Sequence, residues 1–309
     1  MRIAIIGEHR HRWTLPANLA KAAEDMGHKV TAINEATWDG SLEAGSEFII
    51  YSPIMGRGPE HDIVRARFAE CDRAGIPVVS WHLDLFPRMP RESEVPSHPM
   101  FSASLVVTTD ADEDFWRAKG INHLHMLPGV DEYACRVADQ DKSLRHDVVF
   151  VGARSVPGYP ARTAFLEAIE REVQLTVYEH GSGMRGSQLA ALYASARVVL
   201  GDSVLAGEVP GYTSDRLYET LGRGGRLVYP EIEGVTFQPQ YTNLVADYAP
   251  CRRFEPGDTV GAVECVVAAL NCDAETERKE RLAAVAWAKA GHTYRHRLEA
   301  LLAHLGRAR

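Results

Sequence analysis

Short apolar runs recur along the first third of the chain at Ile3–Ile6, Val30–Ile33, Phe48–Tyr51, Val78–Trp81 and Leu105–Thr108, with an amphipathic stretch at Leu15–Met26 between the first two. Runs of this length predict buried strands, and the longer stretch predicts a helix. Strand and helix in alternation is the rhythm of a parallel sheet covered on both faces. The rhythm breaks over Leu127–Arg145, where LPGVDEYACRVADQDKSLR is polar and without period, as an interdomain connection is.

A second series follows. Strands are predicted at Asp147–Val151, Leu175–Tyr178, Val198–Leu200, Leu227–Tyr229 and Leu244–Val245, with helices at Arg162–Glu172, Ser187–Ala196 and Ser214–Leu221 between them. The stretch Glu275–Leu305 has a helical pattern throughout, broken only near Gly291 and His292, which predicts two helices meeting at a bend. The expected architecture is α/β with two doubly wound, Rossmann-like domains: residues 1–140, residues 141–285, and a terminal helix over 286–309.

Composition narrows the partners. In 309 residues, an apolar share of 45% can build two cores. The formal charge of −8 gives no overall attraction to nucleic acid or an anionic membrane, although a local basic face is compatible with it. Five widely spaced cysteines without a C-x-x-C pair read as reduced thiols. The first apolar run is too short for a signal-peptide core or a membrane span, so a cytoplasmic protein is expected.

The richest stretch is PGYTSDRLYE at 210–219, followed by LGRGGRLVY. Thr213 and Ser214 are placed to cap a helix whose first-turn N–H groups would attract an anion such as a diphosphate. Arg216 would lie in that first turn, where a cation opposes the helix dipole unless an anion compensates it. Glu219, on the same face, could accept hydrogen bonds from sugar or ribose hydroxyls. The same residues also read as an ordinary capped helix stopped by Gly222, Gly224 and Gly225. Upstream, DVVFVGAR at 147–154 reads as a buried strand ending at Gly152 with Arg154 just beyond, at the edge where open α/β sheets bind ligands. A solvated loop arginine is the alternative.

The run HDVVFVGAR at 146–154 resembles the CgeB-like glycosyltransferases, relatives of the GT-B transferases. So do LTVYEHGSG at 175–183, LYASARVVLGDS at 192–203, SDRLYETLGRGGRLV, and GHTYRHRLEALL near the end. The segment TTDADEDFWRAKGINHLHMLPGVD at 108–131 is similar to the stretch that leads into them. The resemblance implies a GT-B fold with two domains facing a cleft and a final helix crossing back toward the first. It also implies a nucleoside-diphosphate sugar, a co-substrate rather than a cofactor, held by the second domain and transferred to an acceptor hydroxyl. Gly152, Arg154, Tyr178, Gly183, Thr213, Ser214, Arg216 and Glu219 are the donor-site candidates. Glu219 stands at the second acid of the E-x7-E motif of related retaining enzymes, which implies a ribose contact, whereas the first acid is replaced by Gly211.

Further motifs admit competing readings. GSGMRG at 181–186 matches G-x-G-x-x-G and is followed by Asp202, which would suit an NAD(P)-dependent oxidoreductase; a loop over the donor's nucleobase is preferred, because the motif opens the second unit of its domain. A two-lobed nucleotide-binding protein without catalysis is a further alternative. Asp110 and Asp112 resemble a metal-binding D-x-D but lead into an acidic first helical turn, so capping is expected. Donor binding is then metal-independent, the diphosphate being neutralised by N–H groups and arginines. His82 and Asp84 follow the strand Val78–Trp81 and are the candidates to orient or deprotonate the acceptor. His9, Arg10, His11, Arg12 and Trp13 follow the first strand and suit an acceptor contact, with a glycan, a small molecule or a hydroxylated base in nucleic acid all open. Each of these residues also reads as ordinary hydrogen-bonded structure or solvated loop.

Overall fold

The computed structural model describes residues 1–42, 45–53, 60–83, 98–155, 160–179, 181–203, 209, 211–232 and 250–306. The chain divides into two compact units, one formed by Met1–Leu127 with Arg297–Arg309 and the other by Pro128–His296.

The first unit carries β1 (Arg2–Gly7), α1 (Leu15–Asp25), β2 (Lys29–Asn34), β3 (Phe48–Tyr51), α2 (His61–Arg73), β4 (Val78–Trp81), β5 (Leu105–Thr108), α3 (Glu113–Ala118) and β6 (His123–His125). The strands form one parallel sheet in the order β2-β1-β3-β4-β5-β6. β3, β4 and β5 are buried on both faces, as their unbroken apolar runs require. The predicted runs match strands closely, but β6 breaks the pattern. Its His123 is buried because the ring stacks on Trp116 at 4.3 Å, and its nitrogens meet the Thr108 hydroxyl at 2.9 Å and a Glu113 oxygen at 3.2 Å.

The second unit contains β7 (Val148–Val151), α4 (Pro160–Glu172), β8 (Leu175–Tyr178), α5 (Gly186–Ser195), β9 (Val198–Leu200), α6 (Arg216–Gly222), β10 (Leu227–Pro230), β11 (Arg252–Phe254), α7 (Thr259–Leu270) and α8 (Ala274–Gly291). Its parallel sheet runs β11-β10-β9-β7-β8. Phe150, Phe165, Leu166, Leu200 and Val266 belong to its core. The predicted strand at Leu244–Val245 lies outside the described residues. The bend near Gly291 is present, and α9 (Tyr294–His304) follows it.

Buried arginines dock α8. Arg281 donates to the carbonyls of Tyr193 (3.1 Å), Ala196 (2.6 Å) and Gly224 (2.8 Å), so a cation sits at the carboxyl end of α5, where the helix dipole favours it. Arg226 reaches the carbonyls of Arg197 (2.7 Å) and Ala269 (2.9 Å) and is paired with Glu280 at 2.6 Å. On α9, Arg297 donates to the Leu127 carbonyl at 2.9 Å, which ties the end of the chain into the first unit.

Burial holds the His123 pKa down at about 3, so its contact with Glu113 is a neutral hydrogen bond near pH 7. Between pH 6.5 and about 3 the unfolded chain binds a proton here that the folded chain does not. Stability contributed by this residue is therefore complete above pH 6.5 and is lost on acidification, by up to about 1.4 kcal/mol per pH unit. His123→Gln is expected to make the fall of unfolding free energy below pH 6 shallower by up to that amount in denaturant titrations. An unchanged slope would show that His123 charges within the fold.

Candidate functional site

In the second unit β7 is the first strand of the series and has β8 on one side and β9 on the other, so the winding reverses between β7 and β9. Ligands in open parallel sheets bind at the carboxyl ends of the strands at such a reversal. The residues at that edge are Gly152 after β7 and Gly201, Asp202 and Ser203 after β9, with the start of α6 beside them.

Arg216, the first residue of α6, lays its guanidinium over the Phe150 ring, 5.4 Å from the centroid. It can do so because Gly152 has no side chain: a Cβ there would meet both terminal nitrogens of Arg216 at 3.3 Å, and the Gly152 φ of +152° is one that side-chain-bearing residues rarely adopt. Among the described residues Arg216 has no hydrogen-bonded or ion-paired partner. The aromatic face offers a modest attraction, about 0.5–2 kcal/mol, and leaves all the N–H donors available to an anion.

Thr213 and Ser214 do not cap α6. The N-cap is Asp215, without a side-chain capping bond. Both hydroxyls gather instead on the Tyr229 Oη, at 3.1 and 3.2 Å, and the Ser214 N–H donates to the same oxygen at 3.2 Å. The capping expectation fails because a buried phenol from β10 offers these groups a better partner. Tyr229 reaches them by lying against Gly201, where a Cβ would meet its ring at 2.4 Å. Thr213 and Ser214 thus stand near Arg216 in the chain, but both hydroxyls and the Ser214 N–H are engaged.

Glu219 is half-buried, and its carboxylate lies 3.3 Å from Arg223. Burial pushes its pKa up, Arg223 pulls against that, and the Asp215 charge adds to the push. Tyr193 is the buried neighbour of this group, electrostatically coupled to Arg216, Glu219 and Arg223. Arg154 is turned away from the Arg216 site into a two-pronged pair with Glu170 of α4, one arm at 2.9 Å. The Tyr178 carbonyl accepts from the Gly152 N–H at 3.0 Å, while the Tyr178 hydroxyl lies 2.8 Å from His146, before β7. Gly183 and the rest of Gly181–Gly186 follow β8, an edge strand, and a methyl group added at Gly181, Gly183 or Gly186 would touch nothing within 4 Å. A dinucleotide fingerprint requires close packing at its third glycine, so this loop lacks the geometry of that motif.

A buried cation that the spacing gave no means of ranking is Arg162 on α4. It bonds Asp202 at 2.7 Å and the Ala153 carbonyl at 3.2 Å, 5.7 Å from the same Phe150 ring.

In the first unit, His9 bonds the Ile5 carbonyl at 2.9 Å, and burial lowers its pKa. Arg10 forks onto Glu8 at 2.9 Å, holding that carboxyl down at about 2. The Thr14 hydroxyl also donates to the Glu8 carbonyl, closing the loop. What this leaves outward is an exposed Arg12 and a stacked pair, His11 on Trp13, with centroids 4.6 Å apart and Trp13 45% exposed. His82 continues the sheet, its N–H donating to the Val107 carbonyl at 3.0 Å, and Asp84 lies outside the described residues. Asp112 caps α3 by accepting from the Phe115 N–H at 3.0 Å, and the Asp110 carboxylate accepts from the Asp112 N–H at 3.0 Å. Among the described residues no cluster of three His, Cys, Asp or Glu is placed to hold a metal ion. Nor is any helix among them long and apolar enough to cross a membrane.

Residues 137–303, more than half of the chain, match the family model described as glycosyl transferase-like. The sequence matches no curated protein. Among solved structures the chain is similar to an alpha-glucosyltransferase in complex with UDP-glucose and DNA containing an abasic site, at 12% identity over 99% of each chain and a TM-score of 0.67. It is also similar to a UDP-forming alpha,alpha-trehalose-phosphate synthase from Burkholderia xenovorans, at 12% identity over 99% of this chain and 100% of that one, with a TM-score of 0.62. A third similar structure is a trehalose-6-phosphate protein from E. coli bound with UDP-2-fluoro glucose, at 8% identity over 100% of both chains and a TM-score of 0.61. At these identities the likeness is one of fold, and the fold is GT-B.

If Arg216 needs the gap at Gly152, Gly152→Ala will displace the guanidinium and strain the end of β7. A loss of about tenfold in nucleoside-diphosphate affinity is expected by calorimetry, with secondary structure unchanged by circular dichroism. Affinity equal to the unaltered protein's would show that the Arg216 position does not matter for the ligand.

Proposed function

From the premise that the chain belongs to the glycosyl transferase-like family and is a glycosyltransferase, we propose that it draws its sugar from a nucleoside diphosphate held at the carboxyl edge of the second unit's sheet, without a divalent metal. The observation that carries this reading is the Arg216 guanidinium, unpartnered among the described residues and seated over Phe150 at the β7–β9 reversal. When the bond from the anomeric carbon to the diphosphate oxygen breaks, negative charge grows on that oxygen. A fixed cation beside it lowers the barrier without an ion. Glu219, half-buried and oriented by Arg223, is the acceptor for the ribose or sugar hydroxyls. UDP is the first base to test, since structural neighbours carry UDP-glucose or UDP-2-fluoro glucose. The CgeB-like resemblance of the 146–154 and 214–228 segments supports the same reading, and a cytoplasmic site of action fits cysteines that are all free thiols.

For the acceptor, the His11–Trp13 stack supports a flat group, and Arg12 an anionic one beside it. Arg10 adds little charge, because Glu8 already balances it. His82 is the described candidate to take the proton from the acceptor hydroxyl as it attacks the anomeric carbon. A nucleic acid with a hydroxylated base is compatible with these groups, as is a neutral glycan, and salt separates the two.

A single transfer assay with UDP-glucose tests both halves. Turnover should persist in EDTA and fall about tenfold or more in Arg216→Ala; loss of turnover on chelation, restored by magnesium or manganese, would refute the metal-free site. With a polyanionic acceptor, apparent affinity should fall steeply with ionic strength and Arg12→Ala should flatten that slope. Acceptor kinetics unaltered in both Arg12→Ala and Trp13→Ala at every salt concentration would remove this loop from the acceptor site.

A further inference from the structure

Two arginines share the Phe150 ring. Arg162 lies in the first turn of α4 and Arg216 begins α6, so each places a positive charge at the end of a helix where the dipole opposes it. Their guanidinium carbons lie 5.7 and 5.4 Å from the same centroid. Bringing two like charges to one ring in a partly buried place is unfavourable unless anions offset them. Of the two, Asp202 bonds only Arg162, and Asp215 and Glu219 act on Arg216 through their charge without bonding it.

Arg162 is 9% exposed, and its side chain is fixed at two points: Nε donates to the Asp202 carboxylate at 2.7 Å and Nη1 to the Ala153 carbonyl at 3.2 Å. Its Nη2 has no partner among the described residues. Next to Asp202 at the end of β9, the Ser203 hydroxyl is also buried without a hydrogen-bond partner among the described residues, in a side chain 3% exposed. A buried hydroxyl left unpaired is a cost that a ligand oxygen would remove. The unused donors therefore collect at one edge: all of Arg216, one nitrogen of Arg162, and Ser203.

We propose that Arg162 is a second phosphate-binding residue beside Arg216 and that Asp202 is its positioning residue, holding the guanidinium so that Nη2 faces the diphosphate. The proposal rests on the donor reading above. Asp202 is then neither a ribose-binding acid of a dinucleotide site nor a simple surface charge. It keeps the long Arg162 side chain in one arrangement before the ligand arrives, which reduces the ordering cost of binding. Arg154, the arginine nearer β7 in sequence, is anchored to Glu170 and does not take this part.

The test compares three ligands, inorganic pyrophosphate, UDP and uridine, on the full-length protein by calorimetry, with thermal unfolding as a check on the fold. Arg162→Gln should weaken pyrophosphate and UDP about tenfold while leaving uridine unchanged, and Arg162→Lys should restore part of the loss. Asp202→Asn should weaken the two phosphate ligands severalfold and leave uridine alone, a pattern that a purely structural ion pair would not give. Pyrophosphate and UDP bound by Arg162→Gln as by the unaltered protein would overturn the proposal and make the pair a staple between α4 and β9. Should Arg162→Gln fail to fold, Arg162→Lys and Asp202→Asn decide it by the same contrast. If the unaltered protein binds neither pyrophosphate nor UDP, the donor reading itself fails and the clamp with it; if it binds both and only Arg216→Ala loses them, the donor reading stands and the clamp is wrong.

Discussion

A guanidinium without a carboxylate, laid on an aromatic ring at the end of a buried strand, sets the terms for the second unit. A side chain at residue 152 would crowd the Arg216 guanidinium at 3.3 Å, and the Phe150 ring is the surface it rests on. A bonded carboxylate would have taken up the N–H donors that the proposed diphosphate contact requires. Asp215 and Glu219 act on Arg216 through their charge without bonding it, and Glu219 is held by Arg223 instead. One helix thus presents a cation and a hydrogen-bond acceptor side by side without their cancelling each other.

The other buried arginines of this unit show the contrast. Arg281, through both terminal nitrogens, and Arg226 are turned onto backbone carbonyls and onto Glu277 and Glu280. Such groups fix α8 against the ends of α5, β9 and α7 and have little left for a ligand. Burial alone does not distinguish a structural arginine from a binding one. What distinguishes them is how many N–H groups remain after the protein's own acceptors are counted.

The strands were legible in the sequence wherever both faces of the sheet are covered, because an unbroken apolar run has no other stable place: β3, β4, β5 and β9 coincide with their predicted runs. The bend between α8 and α9 was legible from Gly291 and His292. β6 and β11 were not. His123 and His125 look polar, and only a stack on Trp116 and a bond to Thr108 make burial of the first acceptable; Arg252 and Arg253 look like a loop until an edge strand takes them. In the candidate site, Gly152 and Arg216 could be picked out from strand-end and helix-start positions. The capping role of Thr213 and Ser214 could not be excluded, because their actual partner, Tyr229, lies on a different strand. For the same reason spacing singled out Arg154 and gave no sign of Arg162: their partners, Glu170 and Asp202, are brought in by the fold from elsewhere in the chain.

The central claim is that the Arg216 guanidinium over Phe150 is where the diphosphate of the donor binds. A crystal structure of the protein with UDP tests it most directly. The account predicts phosphate oxygens within hydrogen-bond distance of the Arg216 guanidinium and close against the Cα of Gly152. A diphosphate held instead by the Gly181–Gly186 loop, with Arg216 touching no phosphate, would contradict it.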